Sequence, residues 1–378
     1  MKKVISIVLN NFKNDSRVLK TNISLQNAGY DVQVVALWED GLKEFEEIQN
    51  IPVHRVKLVS KNWSKNKFVQ IVKYFEFLYR VMKQYKGVDI LQCNDLNALP
   101  IGVVIKKFYN KDIKIVYDAH EYETEINGLS GIQKKLTKML EKYLIKYADK
   151  VICVSDAIAN EYVKLYGIEK PVLVLNTPPY KKIEKKDIFR KTFNIDKENT
   201  IFLYQGGLSS GRGIEILLES FKLVNDEKSV IVFMGYGPLE HLVKESAEKN
   251  DNIYFHPAVS PDVLLDYTSS ADFGILFYEN NCLNHYYCSP NKMFEYLMAE
   301  IPVIVSNLYE MKRLVENYKV GVVAKENTPQ GLSEAVKEAL KSDKEKLQQN
   351  IQKVKEIYNW EEQEKILLEV YRDLYCAK

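Results

Sequence analysis

Tyr204 to Ile214 reads YQGGLSSGRGI, a strand that runs into Gly206, Gly207, Gly211, Arg212 and Gly213 and then into a helix. Small residues there let backbone amides approach an anion, the helix start adds partial positive charge, and Arg212 offers a two-pronged donor for phosphate. The spacing is neither a Walker loop nor G-x-G-x-x-G. Taken alone, it also describes an ordinary glycine-rich turn with a surface arginine. Ser289 to Glu300 reads SPNKMFEYLMAE. Ser289 is expected to cap a helix whose first residue is Pro290, so that the chain at Ser289, Pro290 and Asn291 turns free amides toward an anion. Lys292 and Glu295 stand three apart and share a helix face, giving one cation for phosphate and one carboxylate for a sugar diol. A surface Lys/Glu pair is the plainer alternative. In VYDAHEYE, residues 116 to 123, His120 stands at a strand's carboxyl end beside Asp118 and Glu121.

Such residues need rigid elements behind them. Short β-branched runs alternate with longer amphipathic stretches throughout, which is the pattern of an α/β protein whose parallel sheets are covered by helices. Strands are expected at Val4–Val8, Val32–Ala36, Ile90–Cys93, Ile113–Tyr117, Val151–Val154 and Val172–Leu175. The second half repeats the plan at Ile201–Tyr204, Val230–Met234, Ile253–Phe255, Phe273–Phe277 and Val303–Val305. Helices include Val18–Ala28, Leu99–Tyr109 and a last one from Trp360 to Leu374, with Gly29 and Gly87 at helix ends. Between the halves NTPPYKKIEKKD, residues 176 to 187, has the composition of a linker or hinge. Two doubly wound halves would bind ligands at the carboxyl ends of their strands, in a cleft.

The chain of 378 residues is too long for one small module. Its 46% hydrophobic and 28% charged residues exclude a disordered or fibrous chain. Five cysteines without a C-x-x-C pair fit reduced thiols better than a disulfide framework or zinc site. No stretch is long and apolar enough to span a membrane, and the apolar run near the N-terminus reads as a first strand rather than a signal peptide. A cytoplasmic enzyme is expected.

Three spaced patterns resemble the nucleotide-sugar-binding half of GT-B fold glycosyltransferases of family 4. They are GGLSSGRG at 206 to 213, MGYGP at 234 to 238 and SPNKMFEYLMAEIPVIVS from 289. NDSRVLKTNISLQNAGYDVQVVA from 14, LQCNDLNALPIG from 91 and VYDAHEYE from 116 are similar to that family's acceptor-side segments. The resemblance implies two Rossmann-like domains: residues 1–178, joined by a returning C-terminal helix at 358–378, for the acceptor, and residues 179–357 for the donor. It implies sugar transfer from a nucleotide diphosphate donor, a UDP- or GDP-sugar, with retention of configuration, no cofactor and no bound metal.

By the same resemblance Arg212 and Lys292 face the diphosphate, Glu295 the ribose and neutral His120 the transferred sugar. Gly235 and Gly237 would lie near the nucleoside, and backbone around Pro257, Ala258 and Val259 near the base. The family's first glutamate of a Glu-x7-Glu pair falls on Tyr287, so Asn284, His285, Tyr286 and Tyr287 are the alternatives for contacting the sugar. Asn14, Asp15, Arg17, Asn94, Asp95 and Glu121 are the acceptor-side candidates. The acceptor implied is a glycan or lipid-linked molecule in cell-surface polysaccharide synthesis. A non-hydrolysing sugar-nucleotide epimerase and a catalytically silent nucleotide-sugar-binding regulator are the alternatives.

Charge is unevenly shared, with 27 Lys/Arg against 20 Asp/Glu in residues 1 to 180 and 26 against 31 in the rest. From Arg55 through Lys65 to Lys86 nine cations meet one anion, Glu76, among Trp63, Phe68, Tyr74, Phe75, Phe77 and Tyr79. Residues 131 to 150 add six lysines against Glu141 and Asp149. Both stretches suit amphipathic helices on the inner face of an anionic membrane. A lysine face over a buried aromatic stripe is the alternative. No nucleic-acid-binding signature accompanies the charge.

Overall fold

The computed structural model describes residues 1–64, 66–224, 226 and 228–376; Lys65 of the basic stretch and the last two residues of the C-terminal segment lie outside them. The chain divides into two compact units, Met1–Val174 with the chain from Glu364 onward, and Leu175–Gln363.

The first unit is built on eight strands: β1 (Lys3–Ile7), β2 (Asp31–Leu37), β3 (Phe45–Ile48), β4 (Ile51–Val56), β5 (Ile90–Asn94), β6 (Lys114–Ala119), β7 (Lys150–Cys153) and β8 (Val172–Leu173). Their order is β3-β4-β2-β1-β5-β6-β7-β8, parallel except for β3. Val4, Ile5 and Ile7 are fully buried, as expected of strands covered on both faces. Five helices matter below: α1 (Ser16–Asn27), α2 (Lys67–Tyr85), α3 (Leu99–Phe108), α4 (Gly131–Leu144) and α5 (Asp156–Tyr166). The sheet reverses direction between β1 and β5, so their carboxyl ends diverge around a crevice.

The second unit carries β9 (Thr200–Gly207), β10 (Ser229–Tyr236), β11 (Ile253–Pro257), β12 (Phe273–Leu276), β13 (Val303–Val305) and β14 (Gly321–Val323), all parallel in the order β11-β10-β9-β12-β13-β14. Its reversal falls between β9 and β12. Buried apolar clusters cover both faces of this sheet.

Three strands exceed the sequence expectation. β3 and β4 form a hairpin whose two turn residues, Gln49 and Asn50, both take positive φ, 51° and 66°. Pro52 hides β4, and the three residues of β14 are too short to show a pattern. Arg55 is corrected accordingly: it belongs to the sheet rather than to a basic surface, is buried, and pairs with Glu46 while donating to the carbonyls of Asn11 and Lys43. Residues 176–187 form no helix or strand. They are tied where the chain returns, with Trp360 N–H bonded to the Pro178 carbonyl and Tyr180 N–H to Glu361. The helix Trp360–Asp373 starts in the second unit and ends in the first, where Tyr371 is buried and donates to Gln92.

Candidate functional site

In the second unit the carboxyl ends of β9 and β12 bring two cations together. β9 ends at Gly207, and the φ of +116° at Gly206 turns the chain toward the loop 208–213 and then the helix Ile214–Leu223. The Lys292 side chain crosses this turn so closely that a Cβ on Gly206 would stand 2.4 Å from its Cε. Its ammonium donates to the Tyr204 hydroxyl at 3.1 Å and lies 4.4 Å above that ring. Arg212 donates to the Tyr278 hydroxyl at 3.1 Å and lies over the same ring that Lys292 approaches at 5.9 Å. Burial, then Arg212, pushes the Lys292 pKa down to about 7 against the pull of Glu295. Two cations that repel each other, Lys292 buried and Arg212 partly exposed, form a site complementary to an anion.

Lys292 and Glu295 lie on the helix Asn291–Met298. Here the sequence expectation is corrected by one residue: Pro290 is the N-cap, Asn291 begins the helix, and Ser289 precedes both. Proline has no side-chain oxygen to cap with, and of the first-turn amides that of Met293 bonds to the Pro290 carbonyl at 3.0 Å. Glu295 accepts from Gln205 at 2.6 Å, and Gln205 accepts from Thr268 at 2.7 Å, so the carboxylate is held by a buried amide.

Gly235 and Gly237 sit at the end of β10, with Gly235 in register with Gly206. Their smallness serves backbone packing: a Cβ on Gly235 would meet the Gly206 carbonyl at 1.9 Å, and one on Gly237 the Leu208 carbonyl at 2.3 Å. Ala258 and Val259 follow β11 at the same end of the sheet, with Val259 against the core. Gly207 closes β9 beside the Arg212 side chain. Tyr287 packs edge-on against Tyr286 and Tyr309, at 5.1 and 5.8 Å between ring centres. His285 is tied to the Glu279 carbonyl and burial lowers its pKa, keeping it neutral.

In the first unit a second polar cluster forms at the carboxyl ends of β5 and β6. His120 has Asp118 Oδ2 3.4 Å from Nε2 and Asp95 Oδ1 3.5 Å from Nδ1, and its N–H donates to Asp95. Burial disfavours the imidazolium, yet Asp118 and Asp95 together raise its pKa above the usual value. Asp118 is buried, which alone would raise its pKa, but Arg17 and His120 hold it well below the ordinary carboxylate range. Arg17 reaches it at 2.7 Å and also donates to the Val174 carbonyl.

Asp95 adopts φ +63°, a left-handed conformation costly for a non-glycine residue and common at functional turns. Asn94 is buried and donates to the Ile7 carbonyl, so it serves the sheet. Asp15 caps α1 through Val18 N–H and accepts from Asn10, with Asn14 just before it. Glu121 is exposed at the rim.

The sequence reading missed four participants. Tyr204 and Gln205 directly precede the glycine pair, Tyr278 stands two residues beyond β12, and Glu123 belongs to the same VYDAHEYE stretch. Burial and the Asp95 carboxylate push Glu123 well above its ordinary pKa.

Two doubly wound parallel-sheet units, the second gathering cations at its strand reversal, define a glycosyltransferase of the GT-B fold. Residues 19–178 match Glycosyltransferase Family 4 and residues 185–356 match Glycosyl transferases group 1, and the chain belongs to the GT-B glycosyltransferases of the family 4 type. An uncharacterized glycosyltransferase of Methanocaldococcus jannaschii is 22% identical over 91% of this chain and 90% of its own length. The chitobiosyldiphosphodolichol beta-mannosyltransferase of Candida albicans is 21% identical over 69% of this chain and 62% of its own. Among solved structures, sucrose-phosphate synthase from Thermosynechococcus elongatus superposes with a TM-score of 0.82 at 17% identity, covering 100% of both chains. Anabaena HepE in complex with UDP and glucose superposes with a TM-score of 0.75 at 15% identity over 99% of each chain. These structural likenesses establish the shared fold.

Proposed function

We propose that this glycosyltransferase takes its sugar from a nucleotide diphosphate sugar, without a bound metal and with retention of configuration. The convergence of Arg212 and Lys292 at the end of β9 carries this reading. A departing diphosphate builds negative charge, and fixed cations with helix amides stabilise it in place. The binding of UDP and of UDP-glucose by Anabaena HepE supports a uridine nucleotide among the candidate donors.

In this reading Glu295 accepts from the ribose hydroxyls and His120 contacts the reacting sugar. The acceptor oxygen bonds to the anomeric carbon on the face from which the diphosphate departs. The bond to the phosphate oxygen breaks with its electrons on that oxygen, which also takes the acceptor's proton. The acceptor is a glycan or lipid-linked molecule of cell-surface polysaccharide synthesis, and the enzyme works as a peripheral protein on the inner face of the membrane. Among the described residues no helix is long and apolar enough to cross a membrane.

A thermal-shift screen with uridine, guanosine and cytidine diphosphate sugars tests the donor, since a ligand that binds only the folded state raises its stability. One class of nucleotide sugar should raise the melting temperature without added metal, and nuclear magnetic resonance of the product should show the donor's anomeric configuration. No shift with any of them, or an inverted product, defeats the reading.

A further inference from the structure

α4 is an amphipathic helix turned inside out. A helix that covers a sheet normally faces its apolar stripe inward. In α4, Ile132, Leu136, Met139, Leu140 and Tyr143 share one face, and that face is turned to solvent, with Ile132 77%, Met139 67% and Leu136 59% exposed. Apart from Leu144 near its end, the inward face is polar. Lys134 and Lys138 each end 2.5 Å from the buried carboxylate of Glu125. Glu141, also buried, accepts from the hydroxyls of Tyr117, Tyr162 and Tyr166 at 2.7, 2.8 and 2.5 Å. These contacts with β6 and α5 fix the rotation of α4, so its apolar face is held outward by the core itself.

α2 repeats the arrangement in part. Phe77 and Val81 pack inward, whereas Phe68, Ile71, Phe75 and Tyr79 line an outward stripe, each more than half exposed. α3 packs against both helices, and its Lys107 donates to Tyr143 of α4 at 2.6 Å. The two exposed stripes therefore belong to helices that flank α3. Their charges have one sign. Lys135 and Lys142 flank the stripe of α4, and Lys83 and Lys86 end that of α2. The one carboxylate on each helix is engaged elsewhere, Glu76 with Ser60 and Arg80, and Glu141 with the three tyrosines.

We infer that α2 and α4 form the surface by which the protein docks on an anionic lipid bilayer, apolar stripes entering the interface and lysines meeting lipid phosphates. Aliphatic chains rimmed by cations match the acyl boundary of such a membrane. A second copy of the chain would set lysine against lysine. The inference rests on the peripheral-membrane part of the reading above and names the surface responsible.

The full chain is sedimented at low salt with vesicles of phosphatidylcholine alone or mixed with phosphatidylglycerol. Wild type should bind the mixed vesicles and release them as salt rises. Leu136→Glu with Met139→Glu should weaken binding about tenfold or more, and Phe68→Glu with Phe75→Glu should do so independently. Leu223→Glu, at an exposed position of the second unit, should bind as wild type. Melting curves verify that each variant folds, and the solvent-facing positions leave two separate pairs to compare. Wild type that prefers neither vesicle, or both folded pairs binding like wild type, overturns the inference. So does light scattering that shows a dimer in solution split by the same substitutions. The vesicle assay contains no nucleotide sugar, so its failure and the failure of the donor reading are separate results.

Discussion

Lys292 is a cation kept where its charge is least welcome. With its pKa pushed down to about 7 by burial and Arg212, it is about half charged near neutral pH in the free protein. A diphosphate arriving beside it favours the charged form. Binding a nucleotide sugar therefore takes up a proton, most fully above pH 7, where free Lys292 is neutral. Affinity should fall as pH rises from about 7 to 9, and titration calorimetry in buffers of different ionisation enthalpy should register the uptake. Lys292→Met should abolish it; the same uptake in that variant would assign the proton to another group. The unfolded lysine titrates near about 10.4, so between that pH and about 7 only the unfolded chain holds this proton, and the free protein gains stability as pH rises across the window. Arg212→Ala should lower turnover about tenfold or more, the worth of one charge-assisted contact, read from initial rates at saturating acceptor.

At the scale of elements, the turns that place these cations depend on backbone shape. Gly213, with φ +71°, is the N-cap of the helix Ile214–Leu223, and a Cβ there would stand 1.8 Å from the Phe277 carbonyl oxygen. Nothing flexible can yield. Gly128, at φ +84°, has open space around it. Gly128→Ala should cost about 1 kcal/mol for the left-handed conformation alone. Gly213→Ala should cost about 3 kcal/mol or more, by strain and displacement of the helix start. Chemical denaturation of both variants measures the difference, and equal losses would mean that the loop shifts freely.

The glycine run and the alternation of strands and helices are written in local sequence, and so were legible there. The partners are not. Lys292 over Gly206, Tyr278 under Arg212 and the Phe277 carbonyl behind Gly213 join residues far apart in the chain, through strands that only the folded sheet makes neighbours. The outward rotation of α4 is of the same kind. Its sequence displays an apolar stripe, but the tyrosines that turn the stripe to solvent lie on β6 and α5.

The first unit of the whole molecule is discontinuous, closed by a segment that arrives only after the second unit is complete. Leu367, Val370, Tyr371 and Leu374 of that segment are buried, Tyr371 donates to Gln92 inside the first sheet, and Asp373 pairs with Lys150. Such a unit cannot reach its final stability until the end of the chain is available, and long-range closure of this kind slows folding. Leu367→Ala removes a buried side chain from that seam and should cost the first unit about 2–4 kcal/mol. The second unit keeps its own sheet and its own cations. Calorimetric melting of Leu367→Ala should show the first unit's transition shifted down, while a nucleotide sugar still raises the transition of the second. If both transitions move together and the nucleotide effect is lost, the units do not unfold separately, and the terminal helix stabilises the molecule as one body.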